Sequence, residues 1–291
     1  MKLATFTESG RTRIGLVLDD RILDLSQAAP ELPTDMIAFL RAGPAALERA
    51  RAVAASDGAT FPLDRVHLEA PVPRPGKVLA IGLNYADHVA EMGREKPEHQ
   101  IWFNKQTTSV NPPYDPVQVP KVSDQVDYEG ELAVVIGRRC RHVPRERAAE
   151  VIAGFAVLND VSVRDWQFRS PTMIMGKSFD THCPMGPWLV TPDEIGDPHG
   201  LRVRTWVSAE LRQDTNTREM IFDCYAQIEH LSTAFTLEPG DVLSTGTGPG
   251  VGAGFKPPRF LKAGDRVRVE IEGLGAIENE FVPESGETMI A

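Results

Sequence analysis

A mixed fold dominated by β-structure is the expectation for this 291-residue sequence, on three observations. Strand-like apolar runs outnumber helical ones along the chain. The connections read as loops rather than regular crossover helices, which argues against a doubly wound sheet and against an eight-fold β/α barrel. Beyond residue 71 the chain is rich in Val, Ile, Gly and Pro, the mixture of short strands joined by tight turns.

Taken in order, residues 1 to 25 alternate as a hairpin does, with Glu8-Ser9-Gly10 and Asp19-Asp20-Arg21 as turns. Residues 34 to 55 carry helical spacing, broken into two helices at Gly43 and Pro44. The proline-rich run at residues 71 to 76 marks a seam. It divides a small N-terminal α+β module, residues 1 to 70, from a main domain, residues 71 to 291. There, "KVLAIGLN" is a short strand, "YADHVAEMG" a short helix ending at Gly93, and "QIWFNKQTTSV" another strand. "ELAVVIGRR" and "IAGFAVLNDVSV" are strands, with helical "RERAAEVIAGF" leading into the second. "CYAQIEHLSTAFTL" is helical, "DVLSTGTGPGVGAG" a strand running into a glycine loop, and "GDRVRVEIEGLGAIENEF" a closing hairpin.

The net charge of -10 argues against an extended nucleic-acid surface. An anionic small molecule would need locally focused positive charge. Three scattered cysteines, Cys140, Cys183 and Cys224, point away from a disulfide framework and toward a reducing compartment, with the cytoplasm as the expected location. The sequence contains no run of about 18 apolar residues that would read as a membrane span.

The stretch "VDYEGELAVV" is the most informative. Asp127, Glu129 and Glu131 enter an apolar strand at every second position, so three carboxylates are expected on one face. An exposed face is the competing reading. Against it, the residues that follow are wholly apolar, and Gly130 leaves the opposite face bare, as happens where another chain segment comes close. Buried carboxylates repel unless a cation sits among them. Asp160, at the end of "AVLND", supplies a third oxygen ligand. A Glu129–Glu131–Asp160 site for Mg²⁺ or Mn²⁺ is the physical reading, with Asp127 in an outer role.

His88 and Glu91 stand three apart on the short helix and share a face, so the carboxylate can hold one imidazole nitrogen and leave the other as a base. A solvated surface pair is the competing reading. Lys177 and Lys105 sit among apolar residues, where a lysine either meets an anion or snorkels to solvent. Arg164 and Gln167 add hydrogen-bond donors near Asp160. The glycine-dense "STGTGPGVG" lacks both the phosphate-loop and the dinucleotide pattern. Its N–H groups, with Thr245 or Thr247, can cradle a carboxylate.

The motifs "AIGLNYADHVAE", "DYEGELAVVIG", "NDVSVRDWQ", "GKSFDT" and "LSTGTGPGVG", in that order over residues 71 to 282, resemble the fumarylacetoacetate hydrolase family. The resemblance implies a β-sandwich or β-roll main domain, a homodimer, and Mg²⁺ or Mn²⁺ held by Glu129, Glu131 and Asp160. It implies a water-activating dyad of His88 and Glu91 on a lid, with Lys177 at the oxo-acid region and Gln167 and Thr245 touching substrate. The terminal loop departs from the family's Thr-Gly-Thr-Pro by one inserted glycine, which leaves Thr247 open beside Thr245. The expected activity is hydrolysis of a carbon–carbon bond in a 2,4-dioxo acid, an acylpyruvate or fumarylpyruvate, giving pyruvate and a carboxylic acid. Decarboxylation of oxaloacetate or a related β-keto acid, and isomerisation of a 2-hydroxydienoate, are the alternatives on the same metal site. The distal substrate group is expected to meet Met92, Arg94 and residues 168 to 173, with Arg169 either reading a second carboxylate or standing solvated on the surface.

Overall fold

The computed structural model describes every residue except Asp57, Glu287 and Ala291. The N-terminal alternation folds as a meander of Lys2–Glu8, Arg11–Leu18 and Arg21–Asp24. Its turns place Ser9, Gly10 and Asp19 at positive φ, the conformation that matches short hairpin turns to strand twist. Two helices follow, Met36–Arg41 and Pro44–Ala52, separated at Gly43. "RERAAEV", expected as helical, is a 3₁₀ stretch leading into the strand Ile152–Asn159.

The meander is the edge of a twelve-stranded sheet. Lys2–Glu8 pairs antiparallel with Cys183–Val190, Lys2 lying opposite Val190. The sheet continues through Ile152–Asn159, Gly130–Ile136, Val242–Thr247, Val78–Gly82 and Ile101–Lys105. The N-terminal strands therefore extend the sheet that carries the acidic motif. A second, five-stranded sheet is built from Glu210–Asn216, Arg202–Val207, Arg266–Ile271, Gly275–Pro283 and Val117–Val119.

Gly130–Ile136 is buried along its whole length. Leu132, Val134 and Ile136 pack with Val203, Val269 and Phe281 of the second sheet. Ala133 and Val135 pack on the other side with Leu3 and Phe39. Covering on both faces is why the strand reads as an uninterrupted apolar run. Each buried Val, Leu or Ile contributes roughly 1.5–3 kcal/mol, against the ~1–2 kcal/mol lost in fixing a residue's backbone. This strand anchors the fold and presents the acids at its start.

The acidic stretch is not one strand. Val126–Asp127 forms a small ladder with Ser162–Val163, and the main strand begins at Gly130. Between them the backbone bends: the Glu129 N–H goes to Asn159 Oδ1 at 3.0 Å, and its carbonyl accepts the Asp160 N–H at 2.9 Å. Asp127 therefore does not share a face with the two glutamates, which corrects the expectation of a single alternating strand.

Gly130 has no room for a side chain. A Cβ there would lie 2.3 Å from Thr205 Oγ1 and 3.0 Å from Val269 Cγ1, both in the second sheet. Gly130→Ala is expected to cost about 1–3 kcal/mol by overpacking. Gly200→Ala, where a Cβ meets nothing within 4 Å, is expected to stay within about 0.5 kcal/mol. Urea denaturation of the two variants checks the difference.

Candidate active site

Glu129, Glu131 and Asp160 converge: one oxygen from each lies within 4.8 Å of the others, and all three residues are buried. Each is held differently. Glu129 receives Arg164 Nη1 at 2.7 Å on one oxygen and Lys177 Nζ at 2.6 Å on the other. Asp160 receives Lys177 at 2.8 Å and Lys105 at 2.6 Å. Glu131 accepts from Ser244 Oγ at 2.6 Å and from the Gly246 N–H at 2.8 Å. Asp127 stands outside this group, with Arg164 Nε at 2.9 Å.

The charges decide the electrostatics. Four buried carboxylates face three buried cations, Lys105, Arg164 and Lys177, leaving one excess negative charge. Burial pushes the Glu131 carboxyl well above the usual carboxylate range, and the neighbouring Asp160 and Glu129 charges push it further. Burial acts on Glu129 the same way, but Lys177 and Arg164 outweigh it and hold Glu129 down to about 2. Burial alone would lower Lys177, yet Asp160 and Glu129 raise it. Oxygens of Glu129 and Asp160 already converge on one cationic centre, the Lys177 ammonium. A divalent cation fits the same donor set, which is all-oxygen, hard and, with every carboxylate ionised, one negative charge in excess of its cations. It would turn the excess into one positive charge, suited to an anionic ligand.

Glu129 and Glu131 line a cavity of about 340 Å³, with Asp160 buried behind them. His88, Glu129, Glu131, Arg164, Gln167, Lys177 and Thr247 line its polar end. Ile81, Leu83, Met92, Ile101, Phe103, Phe168, Pro171 and Met173 form an apolar remainder, with Arg94 also on the wall. The helix Ala86–Glu91 carries His88 to this cavity. Glu91 Oε2 lies 3.0 Å from His88 Nδ1, and the other Glu91 oxygen accepts the Gly250 N–H at 2.9 Å.

Two placements depart from the sequence reading, and Arg169 falls on the solvated one of its two alternatives. Lys105 does not line the cavity but lies behind Asp160, bonded also to the Val161 and Lys177 carbonyls. Thr245 is buried with its hydroxyl on the Leu132 carbonyl at 2.8 Å, while Thr247 is on the cavity wall. The cause is a bulge: the ladder pairs Ala133 with Ser244 but Glu131 with Thr247, so one extra residue breaks the alternation. Arg169 lies over the Trp166 ring, 4.0 Å from its centroid, and 3.3 Å from Asp165, whereas Arg94, Met92 and residues of the 168–173 segment do line the cavity.

The glycine loop cradles carboxylates, but they are the protein's own. Gly246 N–H serves Glu131, Gly250 N–H serves Glu91, and Gly252 and Ala253 N–H serve Asp127 at 2.7 and 2.9 Å. Asn84, fully buried, ties the helix entrance to this strand through the Thr245 carbonyl at 2.7 Å. Ser244 and Asn84 were not singled out in the sequence because their partners lie more than a hundred residues away.

Fold and site together define a mostly-β protein with a buried acidic centre beside a cavity, and a carboxylate-held histidine on the same cavity wall. The chain belongs to the fumarylacetoacetate hydrolase family: residues 77–282 match the family model described as fumarylacetoacetate (FAA) hydrolase C-terminal. It is 44% identical over 288 residues to a mitochondrial oxaloacetate tautomerase of Xenopus laevis, covering 97% of this chain and 90% of that one. The crystal structure of maleylpyruvate hydrolase from Sphingobium sp. SYK-6, in complex with manganese(II) ion and pyruvate, superimposes with a TM-score of 0.83 at 34% identity, covering 98% of this chain and 100% of that one. A 5-carboxymethyl-2-hydroxymuconate delta-isomerase from Mycobacterium smegmatis gives 0.79 at 34% identity, with 98% and 100% covered. No helix among the described residues is long and apolar enough to cross a membrane.

Glu129 and Glu131, two residues apart, should behave oppositely in metal-free protein. Glu129→Gln leaves Lys177 and Arg164 under-compensated and is expected to cost about 3–5 kcal/mol. Glu131→Gln removes the repelled charge and is expected to leave stability unchanged or higher. Because the folded Glu131 carboxyl titrates above its unfolded value of 4.5, its stabilising contribution is complete below that value and is lost as pH rises through the folded one. Thermal melting in chelator from pH 5 to 8 should show this loss in the parent chain and a smaller one in Glu131→Gln.

Proposed function

We propose that this chain is a metal-dependent enzyme of short 2-oxo acids that moves a proton at the carbon next to the oxo group, tautomerising an oxaloacetate-type substrate. The observation that carries the reading is the His88–Glu91 pair set on the wall of the cavity that holds Glu129, Glu131 and Lys177. The likeness to oxaloacetate tautomerase over nearly the whole chain supports the same substrate class.

Glu129, Glu131 and Asp160 would hold Mg²⁺ or Mn²⁺, which when bound supplies Lewis-acid stabilisation to an oxo acid and its enolate. The protein's own groups do the rest. Glu91 holds His88 by Nδ1 and leaves Nε2 for the proton. His88 takes the C3 proton of the keto acid, and the electron pair passes to the C2 oxygen as an enolate. Lys177, an ammonium fixed by Glu129 and Asp160, offsets that charge in a site shielded from water. A proton added at the C2 oxygen completes the enol, and the reverse order restores the ketone. Arg164 and Gln167 stay braced to one another at 2.9 Å on the same wall.

Hydrolysis of an acylpyruvate is the second reading, and the apolar remainder of the cavity favours it, because it suits an acyl group that oxaloacetate lacks. There His88 would take the proton of a water attacking the distal carbonyl. The C3–C4 bond would break, and a pyruvate enolate would leave beside Lys177. The match to maleylpyruvate hydrolase supports this reading.

A product-resolved assay with Mn²⁺ or Mg²⁺ separates the two. Enol–keto equilibration of oxaloacetate without loss of carbon dioxide is the result expected. Pyruvate plus a second acid from acetylpyruvate or maleylpyruvate, with oxaloacetate untouched, would replace it with hydrolysis. His88→Ala should lower turnover roughly 100- to 10,000-fold while Mn²⁺ binding persists. Chelator should abolish turnover, and Mn²⁺ or Mg²⁺ should restore it.

A further inference from the structure

We propose that Tyr128 is a positioning residue for His88: its hydroxyl pins the glycine loop at Gly250, and the pinned loop holds Glu91 so that the imidazole keeps its proton on Nδ1. Tyr128 stands between Asp127 and Glu129 and is fully buried. Its ring belongs to the core shared with Leu132, Val269 and Phe281, so packing fixes where its hydroxyl points. That hydroxyl donates to the Gly250 carbonyl at 2.7 Å. Gly250 gives its own N–H to Glu91 Oε1, and the other Glu91 oxygen accepts from His88 Nδ1. Three hydrogen bonds thus run from the acidic stretch to the imidazole.

Glu91 needs such a hold. Its side chain is 22% exposed, and a glutamate at the surface gains rotamer freedom by leaving a single partner. The loop holds it from two sides. Gly250 donates to it, and Gly254 lies against it: a Cβ there would come 2.7 Å from Glu91 Cδ. Gly250 has no side chain to steady itself, because its φ is +98° and a Cβ would meet the Arg212 carbonyl at 1.9 Å. The acidic stretch steadies it instead. Asp127 accepts the N–H groups of Gly252 and Ala253, and Tyr128 donates to Gly250. With the hydroxyl gone, the Gly250 peptide can turn and its N–H can leave Glu91. His88 is then free to carry its proton on Nε2, the nitrogen that a base needs bare.

His88 as the base is the reading above on which this rests, but the tautomer is read without turnover. Ring nitrogen NMR shifts of isotope-labelled histidine, in Mg²⁺-loaded protein at a pH where the ring is neutral, report which nitrogen bears the proton. His88→Ala assigns the signal. Wild type is expected to give the Nδ1–H form alone, and Tyr128→Phe a mixture of both forms. In oxaloacetate tautomerisation, kcat should fall about tenfold in Tyr128→Phe, with KM and Mg²⁺ affinity changed less than about twofold. In a Glu91→Ala background the same substitution should cost less than about a further twofold. An unchanged tautomer in Tyr128→Phe, a loss of Mg²⁺ affinity equal to the loss in kcat, or additive losses in the double variant would overturn the proposal. Should Tyr128→Phe not fold, Gly254→Ala presses on the Glu91 carboxylate from the other side and is expected to give the same mixture; the Nδ1–H form alone would overturn the loop's hold on Glu91 and the proposal with it. Wild type that turns over no oxo acid, with the tautomers as expected, would overturn the oxo-acid reading and leave the positioning of His88 standing.

Discussion

Glu129 and Glu131 at the start of one buried strand and Asp160 at the end of its neighbour can lie together because Lys105, Arg164 and Lys177 are packed among them. Removing an ion from water costs several kcal/mol even after relaxation, and attraction repays it only when every charge is met at hydrogen-bonding distance. Here Glu129 and Asp160 are met on both oxygens by cations, while Glu131 is met by a hydroxyl and a backbone N–H. The imbalance is local. Glu131 is the acid whose charge the folded chain does not compensate, and it lies beside the cavity.

The same arrangement ties distant elements to one loop. The glycine-rich segment that begins at Gly246, inside the end of Val242–Thr247, donates N–H groups to Glu131 at the acidic centre, to Glu91 on the helix bearing His88, and to Asp127, which in turn anchors Arg164. Positive φ at Gly246 and Gly250 turns these N–H groups toward the acids. A Cβ at Gly250 would lie 1.9 Å from the Arg212 carbonyl, and one at Gly252 would lie 2.6 Å from Asp127. The loop ties together the helix that carries His88, the acidic centre and the arginine, and Glu91 is what joins that helix to it.

Much of this was legible in the sequence, for physical reasons that differ by level. Strand and helix periods gave the meander, the break at Gly43, and the doubly covered run at residues 130 to 136, since burial imposes those patterns locally. The Glu129–Glu131–Asp160 cluster followed from carboxylates set against an apolar run, and the His88–Glu91 contact from i,i+3 spacing. What sequence missed depends on bends and on partners far along the chain. The backbone turn at residues 128 to 129 separates Asp127 from the glutamates. A bulge at Gly246 exchanges Thr245 for Thr247. Lys105 reads like Lys177 in composition, yet lies behind Asp160, and only the course of the glycine loop brings Gly250 to Tyr128 and Glu91.

The uncompensated charge at Glu131 suits this centre to a cation. Mn²⁺ titration calorimetry near neutral pH, in two buffers of different ionisation enthalpy, tests it most directly. One ion per chain with release of a proton is expected, because the raised Glu131 carboxyl must ionise to become a ligand, as is loss of both in Glu131→Gln. Binding without proton release, or a site that survives Glu131→Gln unchanged, would contradict it.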